Sequence, residues 1–264
     1  MSFNDDKNLS SFFDKSGQNY NPPLEEMKEL LSAYLTPEMI KDKTVLDAGC
    51  GIGLSCIIFN LWGAKEIVGL DISPESIQKA NILKKEYKAD DIEYIVADLD
   101  KFDLPNKKFD LIFSRGVSFY SLDLKKFLDG LTKAVKDDGF LVIDFVRNSQ
   151  VTRMTERIRR IFKIIPKKYE RILSKILSFI GFPIIKLILG KKAKLNNGKT
   201  TEQLFYEHFF SPVAMKTTTI DEIKQILGPD YTAVDLNVPN LGLHSPKTSF
   251  YLKITKNLNE NITN

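Results

Sequence analysis

The stretch Thr44-Val-Leu-Asp-Ala-Gly-Cys-Gly-Ile-Gly53 decides how this chain is read. β-Branched and apolar residues run into the carboxylate of Asp47, and glycines then alternate at Gly49, Gly51 and Gly53. The pattern predicts a buried strand that stops at Asp47 and turns tightly into a helix beginning near Leu54. Glycine suits such a turn because it accepts backbone conformations closed to other residues and lets a ligand touch the main chain. The helix start just beyond adds free N–H groups facing the same spot. Taken alone, the stretch fits an ordinary glycine-rich turn equally well, so its neighbours have to decide.

Downstream, Glu66-Ile-Val-Gly-Leu-Asp71 predicts a second strand that also ends in an acid. Ser73-Pro74-Glu75 is a helix start, with a serine cap and proline at the first position, and the helix runs to about Lys88. A third strand, Asp91 to Asp98, again ends in an acid, and Phe109 to Phe113 is a fourth. A helix from Leu122 to Val135, the turn Asp137-Asp-Gly139 and a fifth strand Phe140 to Val146 follow. Upstream, Pro22-Pro23 opens an amphipathic helix from Leu24 to about Leu35. Strands alternating with helices predict an α/β fold with a doubly wound, mostly parallel sheet and helices on both faces. In such sheets ligands bind at the carboxyl ends of the strands.

From residue 149 the texture changes. Residues 151–194 hold thirteen Lys/Arg against two Glu, a charge of +11, so the total of +4 leaves −7 for the rest. Regular pattern returns with a helix at Ile220–Leu227 and strands at Tyr231–Val238 and Ser249–Thr255. The expected organisation is a flexible segment 1–21, a core 22–148, a basic amphipathic helical cap inserted at 149–205, the rest of the core at 206–255, and a flexible tail 256–264.

The composition, 43% apolar and 27% charged, is ordinary for a globular chain. Two cysteines, Cys50 and Cys56, make neither a disulfide framework nor a metal-ligand set and suit a reducing cytosol. The first 21 residues lack the apolar core of a signal peptide, and no apolar run reaches the roughly 20 residues that span a bilayer. The expected location is therefore cytoplasmic.

Asp47, Asp71 and Asp98 sit at the ends of three consecutive strands. Each alone could cap a helix or start a turn; with the glycine turn they make one coherent site. Asp71 lies 22 residues after Gly49, near the offset of about 20 at which an acid meets ribose hydroxyls in nucleotide-binding βαβ units. A carboxylate accepts two hydroxyl hydrogen bonds at once. Ile72 would offer an apolar face to a base, and Asp98 could accept from an exocyclic amino group.

The segment from Val45 to Gly53 resembles the first motif of the class I S-adenosylmethionine-dependent methyltransferases. Val68-Gly-Leu-Asp-Ile-Ser73 resembles their second motif, Ala97-Asp-Leu99 the third and Phe109-Asp-Leu-Ile-Phe-Ser114 the fourth. Ala134-Val-Lys-Asp-Asp-Gly-Phe-Leu-Val-Ile143 resembles the approach to their fifth strand, and the last two strands fit the family's antiparallel hairpin. The match covers roughly residues 40–148, in order. A dinucleotide oxidoreductase would place its third glycine one position later than Gly53.

The resemblance implies a seven-stranded Rossmann-like sheet and S-adenosylmethionine as methyl donor, with S-adenosylhomocysteine as product and no metal. It implies that Asp47 and the Gly49–Gly51 backbone, with Cys50 between, hold the methionine part. Asp71 would bind the ribose, Ile72 would pack on adenine, and Asp98 with the Leu99 amide would read the adenine edge. Ser114 and Arg115 would close the site near the sulfonium. The Cys50 side chain reads as packing rather than as a nucleophile.

Methyl transfer from a sulfonium needs mainly positioning and desolvation, with a base only where the acceptor must lose a proton. His208, Tyr120 and Tyr20 are the catalytic candidates, and His244 lies in a loop before the final strand. The family often carries a histidine near the position of Phe119-Tyr120, and none stands there. After the fourth strand the chain reads Ser114-Arg-Gly-Val117 rather than an Asn-Pro-Pro-Tyr-like sequence, which argues against methylation of amino groups on bases or glutamine.

The expected acceptor is small or amphiphilic. The basic insertion, which Pro166, Gly181 and Pro183 break into three short helices, has three readings: a solvated cap, a surface on anionic membrane, or a phosphate-binding face for nucleic acid. An RNA or protein methyltransferase docking through the insertion, or a donor-binding subunit without catalysis, are the alternatives.

Overall fold

The computed structural model describes residues 10, 13–14, 23–101, 108–162, 164–189, 202, 206, 216–237 and 249–257. The elements run α1 (Leu24–Leu31), α2 (Pro37–Ile40), β1 (Thr44–Ala48), α3 (Leu54–Leu61), β2 (Glu66–Asp71), α4 (Pro74–Glu86), β3 (Ile92–Val96) and β4 (Phe109–Ser114). A 3-10 turn at Ser118–Tyr120 leads to α5 (Leu124–Ala134), β5 (Val135–Arg147), α6 (Gln150–Phe162) and α7 (Lys167–Leu189). The chain then adds β6 (Thr217–Thr218), α8 (Ile220–Leu227), β7 (Tyr231–Asp235) and β8 (Ser249–Lys256).

The sheet order is β3-β2-β1-β4-β5-β8-β7, with two-residue β6 attached to the end of β5. Strands β1 to β5 pair in parallel, while β8 runs antiparallel to both β5 and β7. The expected seven strands lie on this path; β6 is an addition too short to leave a periodic signal. The order reverses between β1 and β4, so their carboxyl ends open a crevice there.

Period-two alternation divides the core between the faces. Val45, Leu111, Phe113 and Tyr251 pack on one side against α1 and α3. Leu46, Ile112, Phe250 and Leu252 pack on the other side against α5 and α8. Helix α3 is buried along Leu54, Cys56, Ile57, Ile58 and Phe59, which is why it is apolar nearly all round. Helix α5 buries Phe127, Leu128, Leu131 and Ala134 and is capped by the Asp123 carboxylate, which accepts from the Lys126 N–H at 3.1 Å.

Two local readings change. The run Asp137-Asp-Gly139 is an irregularity inside a 13-residue β5, not a turn before it. Lys136 bonds Asp110 at 2.9 Å and Lys256 bonds Asp137 at 2.7 Å, holding this charged stretch against its neighbours. In the insertion, the described residues form two helices. Pro166 separates them, but α7 continues through Gly181 and Pro183. A proline removes one donor and crowds one carbonyl, a local penalty that a long helix can carry.

Candidate functional site

The glycine turn is clamped to the end of β2. Gly49 and Cys50 donate their N–H groups to the Leu70 carbonyl at 2.7 and 2.9 Å, and Gly51 donates to Asp71 Oδ2 at 2.8 Å. Gly49 sits at φ +94°, and a Cβ there would meet Val117 Cγ2 at 2.0 Å, so no side chain fits. Gly53, at φ +81°, starts α3, and a Cβ there would strike the Tyr94 hydroxyl at 2.3 Å.

Above this turn lies one cleft with two lobes of about 180 and 200 Å³, which share Phe13, Gly49, Gly51, Asp71 and Arg115 on their walls. The first lobe adds Asp47, Ser55 and Phe113; the second adds Ile72, Asp98, Leu99 and Tyr120. The three strand-end acids thus face one elongated space, whose lobes together reach the lower end of the size range of small-ligand sites.

Asp47 is buried and accepts from the hydroxyl of Ser55 and, at 3.4 Å, from the thiol of Cys56. Burial pushes its carboxyl up to about 6, against the pull of the Ser55 hydrogen bond. Asp71 accepts a second backbone bond from Ser73 at 2.9 Å, and burial raises its carboxyl as well. Asp98 accepts from the Asp100 N–H at 3.0 Å and faces Lys101 at 3.4 Å. A cleft floored by carboxylates suits a ligand carrying positive charge and hydroxyls.

Near Arg115, β5 supplies a further acid. Asp144 is buried, its Oδ1 accepting from the Gly116 N–H at 2.8 Å. Its Oδ2 has no hydrogen-bond partner among the described residues. Burial pushes this carboxyl to about 6, partly offset by the Gly116 bond and the Arg115 charge. Tyr251, bonded to Arg115, has its hydroxyl pushed by burial up to about 12, and Tyr34 stacks between Tyr251 and Phe113 at centroid distances of 5.0 and 5.9 Å. Arg115 therefore joins the cleft to a buried polar and aromatic cluster.

Among the residues expected from the sequence, Asp47, Gly49, Cys50, Gly51, Asp71, Ile72, Asp98, Leu99 and Arg115 all line the cleft. Ser114 lines neither lobe; its buried hydroxyl donates to the Ala48 carbonyl at 2.8 Å and pins β4 to β1. Burial raises the Cys50 thiol to about 11 and the Cys56 thiol further above its usual range, so both stay protonated. Tyr120 stands in the second lobe, its ring edge-on to Phe13 at 5.2 Å. His208, Tyr20 and His244 lie outside the described residues.

Sequence reasoning missed Ser55 and Phe13, which line the cleft, and Asp144, which lines neither lobe but interacts with Arg115. A lone acid inside the apolar run Leu141-Val-Ile-Asp-Phe-Val146 was the available signal for Asp144. Phe13 stood out, with Phe12 and Tyr20, only as an aromatic in a polar stretch, and nothing in the sequence tied it to the cleft that it reaches from before α1. Near it Ser10 donates to the Ile72 carbonyl at 3.1 Å, and Asp14 accepts from Ser73 at 2.5 Å.

Comparison with known proteins adds the following. A family model described as a methyltransferase domain matches residues 40–179. Protein arginine N-methyltransferase 1 of Schizosaccharomyces pombe is 35% identical over 109 residues, 41% of this chain and 31% of that protein. A sterol 24-C-methyltransferase of Debaryomyces hansenii is 29% identical over 149 residues, 53% of this chain and 40% of that protein. The chain thus spans 31% to 40% of the length of these curated relatives. In fold it is similar to the magnesium protoporphyrin IX methyltransferase of Synechocystis PCC 6803, crystallised with bound SAH. That likeness has a TM-score of 0.60 at 15% identity, over 96% of this chain and 97% of the other.

Proposed function

The chain belongs to the class I S-adenosylmethionine-dependent methyltransferase family, and from that membership we propose that its cleft binds S-adenosylmethionine and passes the methyl group to a small or amphiphilic acceptor. The observation that carries the reading is the convergence of Asp47, Asp71 and Asp98 on one two-lobed cleft above the glycine turn.

The residues fit the donor end to end. Asp47, with Ser55 and the turn backbone, is the partner for the ammonium and positive sulfur of the methionine part. Its carboxyl lies near 6, so it is ionised at neutral pH, and a bound cation favours that form further. Asp71 retains lone pairs for the ribose hydroxyls beyond its bonds to Gly51 and Ser73. Ile72 packs on the base, and Asp98 with the Leu99 amide reads its edge.

The donor brings a methyl group already activated for displacement. The chain's work is to orient that group, exclude water and hold the acceptor in line. Phe13, Phe113 and Val117 wall the cleft with apolar surface for this purpose. Lobes walled in this way favour an acceptor with an apolar part.

Calorimetric titration with S-adenosylmethionine tests the reading. Micromolar binding is expected, weakened at least about tenfold, or roughly 1.4 kcal/mol, by Asp71→Ala. Absence of binding, or binding unchanged by that substitution, overturns it.

A further inference from the structure

Helix α6 is turned inside out. Thr152 and Arg159 face the protein, Arg159 at 0% exposure and paired with Glu156 at 2.5 Å. At 100° per residue, Thr152, Glu156 and Arg159 form one polar stripe, and that stripe is the buried one. The apolar residues Val151, Met154, Ile158 and Ile161 form another, and they are exposed, Ile161 at 66%. Arg153, Arg157 and Arg160 form a third stripe, also exposed.

Helix α7 repeats the arrangement. It buries Ser174 and half-buries Glu170, Leu173 and Leu177. Tyr169, Ile172, Ile176, Phe179 and Ile180 point outward, Phe179 at 85% exposure. Lys168, Arg171 and Lys175 run along the edge of this stripe and are exposed. Between the helices Ile164 is exposed at 82%.

An outward apolar stripe bordered by arginine or lysine, on each of two consecutive helices, has a cost in water and needs a partner. We infer that α6 and α7 form a docking surface for an anionic lipid bilayer, with the aliphatic stripes among the acyl chains and the basic edges on the phosphates. Charge decides between occupants. A second copy would bring basic edges against basic edges, which repel. A nucleic acid would meet the basic edges and leave the aliphatic stripes exposed, and those stripes offer few rings for base stacking. A bilayer with acidic headgroups satisfies both stripes at once. Among the described residues no helix is long and apolar enough to cross a membrane, so the contact is with the surface. The inference does not depend on methyl transfer.

The test is co-sedimentation of the full chain with vesicles of equal parts phosphatidylcholine and phosphatidylglycerol, beside vesicles of phosphatidylcholine alone. The native chain should pellet with the mixed vesicles and at least about tenfold less with the neutral ones. Ile161→Asp with Phe179→Asp, and separately Arg153→Glu with Arg157→Glu and Arg160→Glu, should each abolish pelleting. Both variants lie outside the cleft and should bind S-adenosylmethionine as the native chain does, which separates failure here from failure of the donor reading. No pelleting of the native chain, or pelleting unchanged in both variants, overturns the inference. So does a native dimer that the aspartate variant converts to monomer without any vesicle binding, or binding to single-stranded RNA without vesicle binding.

Discussion

The Oδ2 atom of Asp71 accepts the backbone N–H of Gly51 at 2.8 Å, fixing the end of β2 to the glycine turn that follows β1. The same carboxylate faces both lobes of the cleft. It therefore shapes the site and also presents acceptors within it.

Asp71→Ala should harm both roles. It strands the N–H groups of Gly51 and Ser73, costing about 1–3 kcal/mol. It also removes the hydroxyl acceptor. Asp71→Asn keeps one acceptor oxygen and should recover much of the stability but little of the donor affinity. Urea unfolding and donor calorimetry on the two variants separate the effects.

Burial raises Asp144 from 3.8 to about 6, ahead of the opposing pull of the Gly116 bond and Arg115. Between those values the folded chain holds the proton more tightly than the unfolded chain. The stability this group contributes is thus present at low pH and lost as pH rises through that window. A shift of about 2 units corresponds to on the order of 3 kcal/mol. Asp144→Asn, which cannot ionise, should gain stability relative to the native chain as pH rises toward about 6 and then hold a constant advantage. Unfolding titrations of both chains across that range check it; parallel curves would reject the assignment.

Ser114→Ala should cost stability and leave the donor alone. The lost bond to Ala48 is buried and worth about 1 kcal/mol, more if the carbonyl stays unpaired. For a chain of this size that lowers the melting temperature by roughly 2–4 °C per kcal/mol. Donor affinity should change by less than about twofold, since the side chain lines neither lobe. A tenfold loss would place the hydroxyl in the site after all.

Gly49→Ala should be severe for two separable reasons. The added Cβ meets Val117 Cγ2 at 2.0 Å, and the backbone sits at φ +94°. Overlap and strained backbone each cost of order 1–3 kcal/mol. Adding Val117→Ala should relieve the overlap and leave the strain, so the double variant should melt between the native chain and Gly49→Ala.

Much of this was legible because the motifs are local. Strand, acid and glycine turn follow one another within ten residues from Thr44 to Gly53, and period two places Asp47 on the α3 side of the sheet. Ser73 and Pro74 announced their helix for the same reason, the capping bond from Ser76 spanning three residues at 3.1 Å. Phe13 was not legible as a site residue, and the apolar run around Asp144 marked the acid without showing what it meets. Their roles depend on contacts with segments distant in the chain, Phe13 with Tyr120 and Asp144 with Gly116 in the bend after β4.

The sequence by itself determined the alternation of strands and helices and the three strand-end acids, since each is written in spacing along the chain, and its motifs carried the resemblance to the family. Tertiary structure decided which side of each amphipathic element meets the protein. Helical periodicity in α6 separates Arg159 from Ile161, but it cannot say which of the two is buried. Packing answered that by turning Arg159 inward and leaving Ile161 at 66% exposure. The physical reason is that a helix supplies faces, and only its neighbours choose among them.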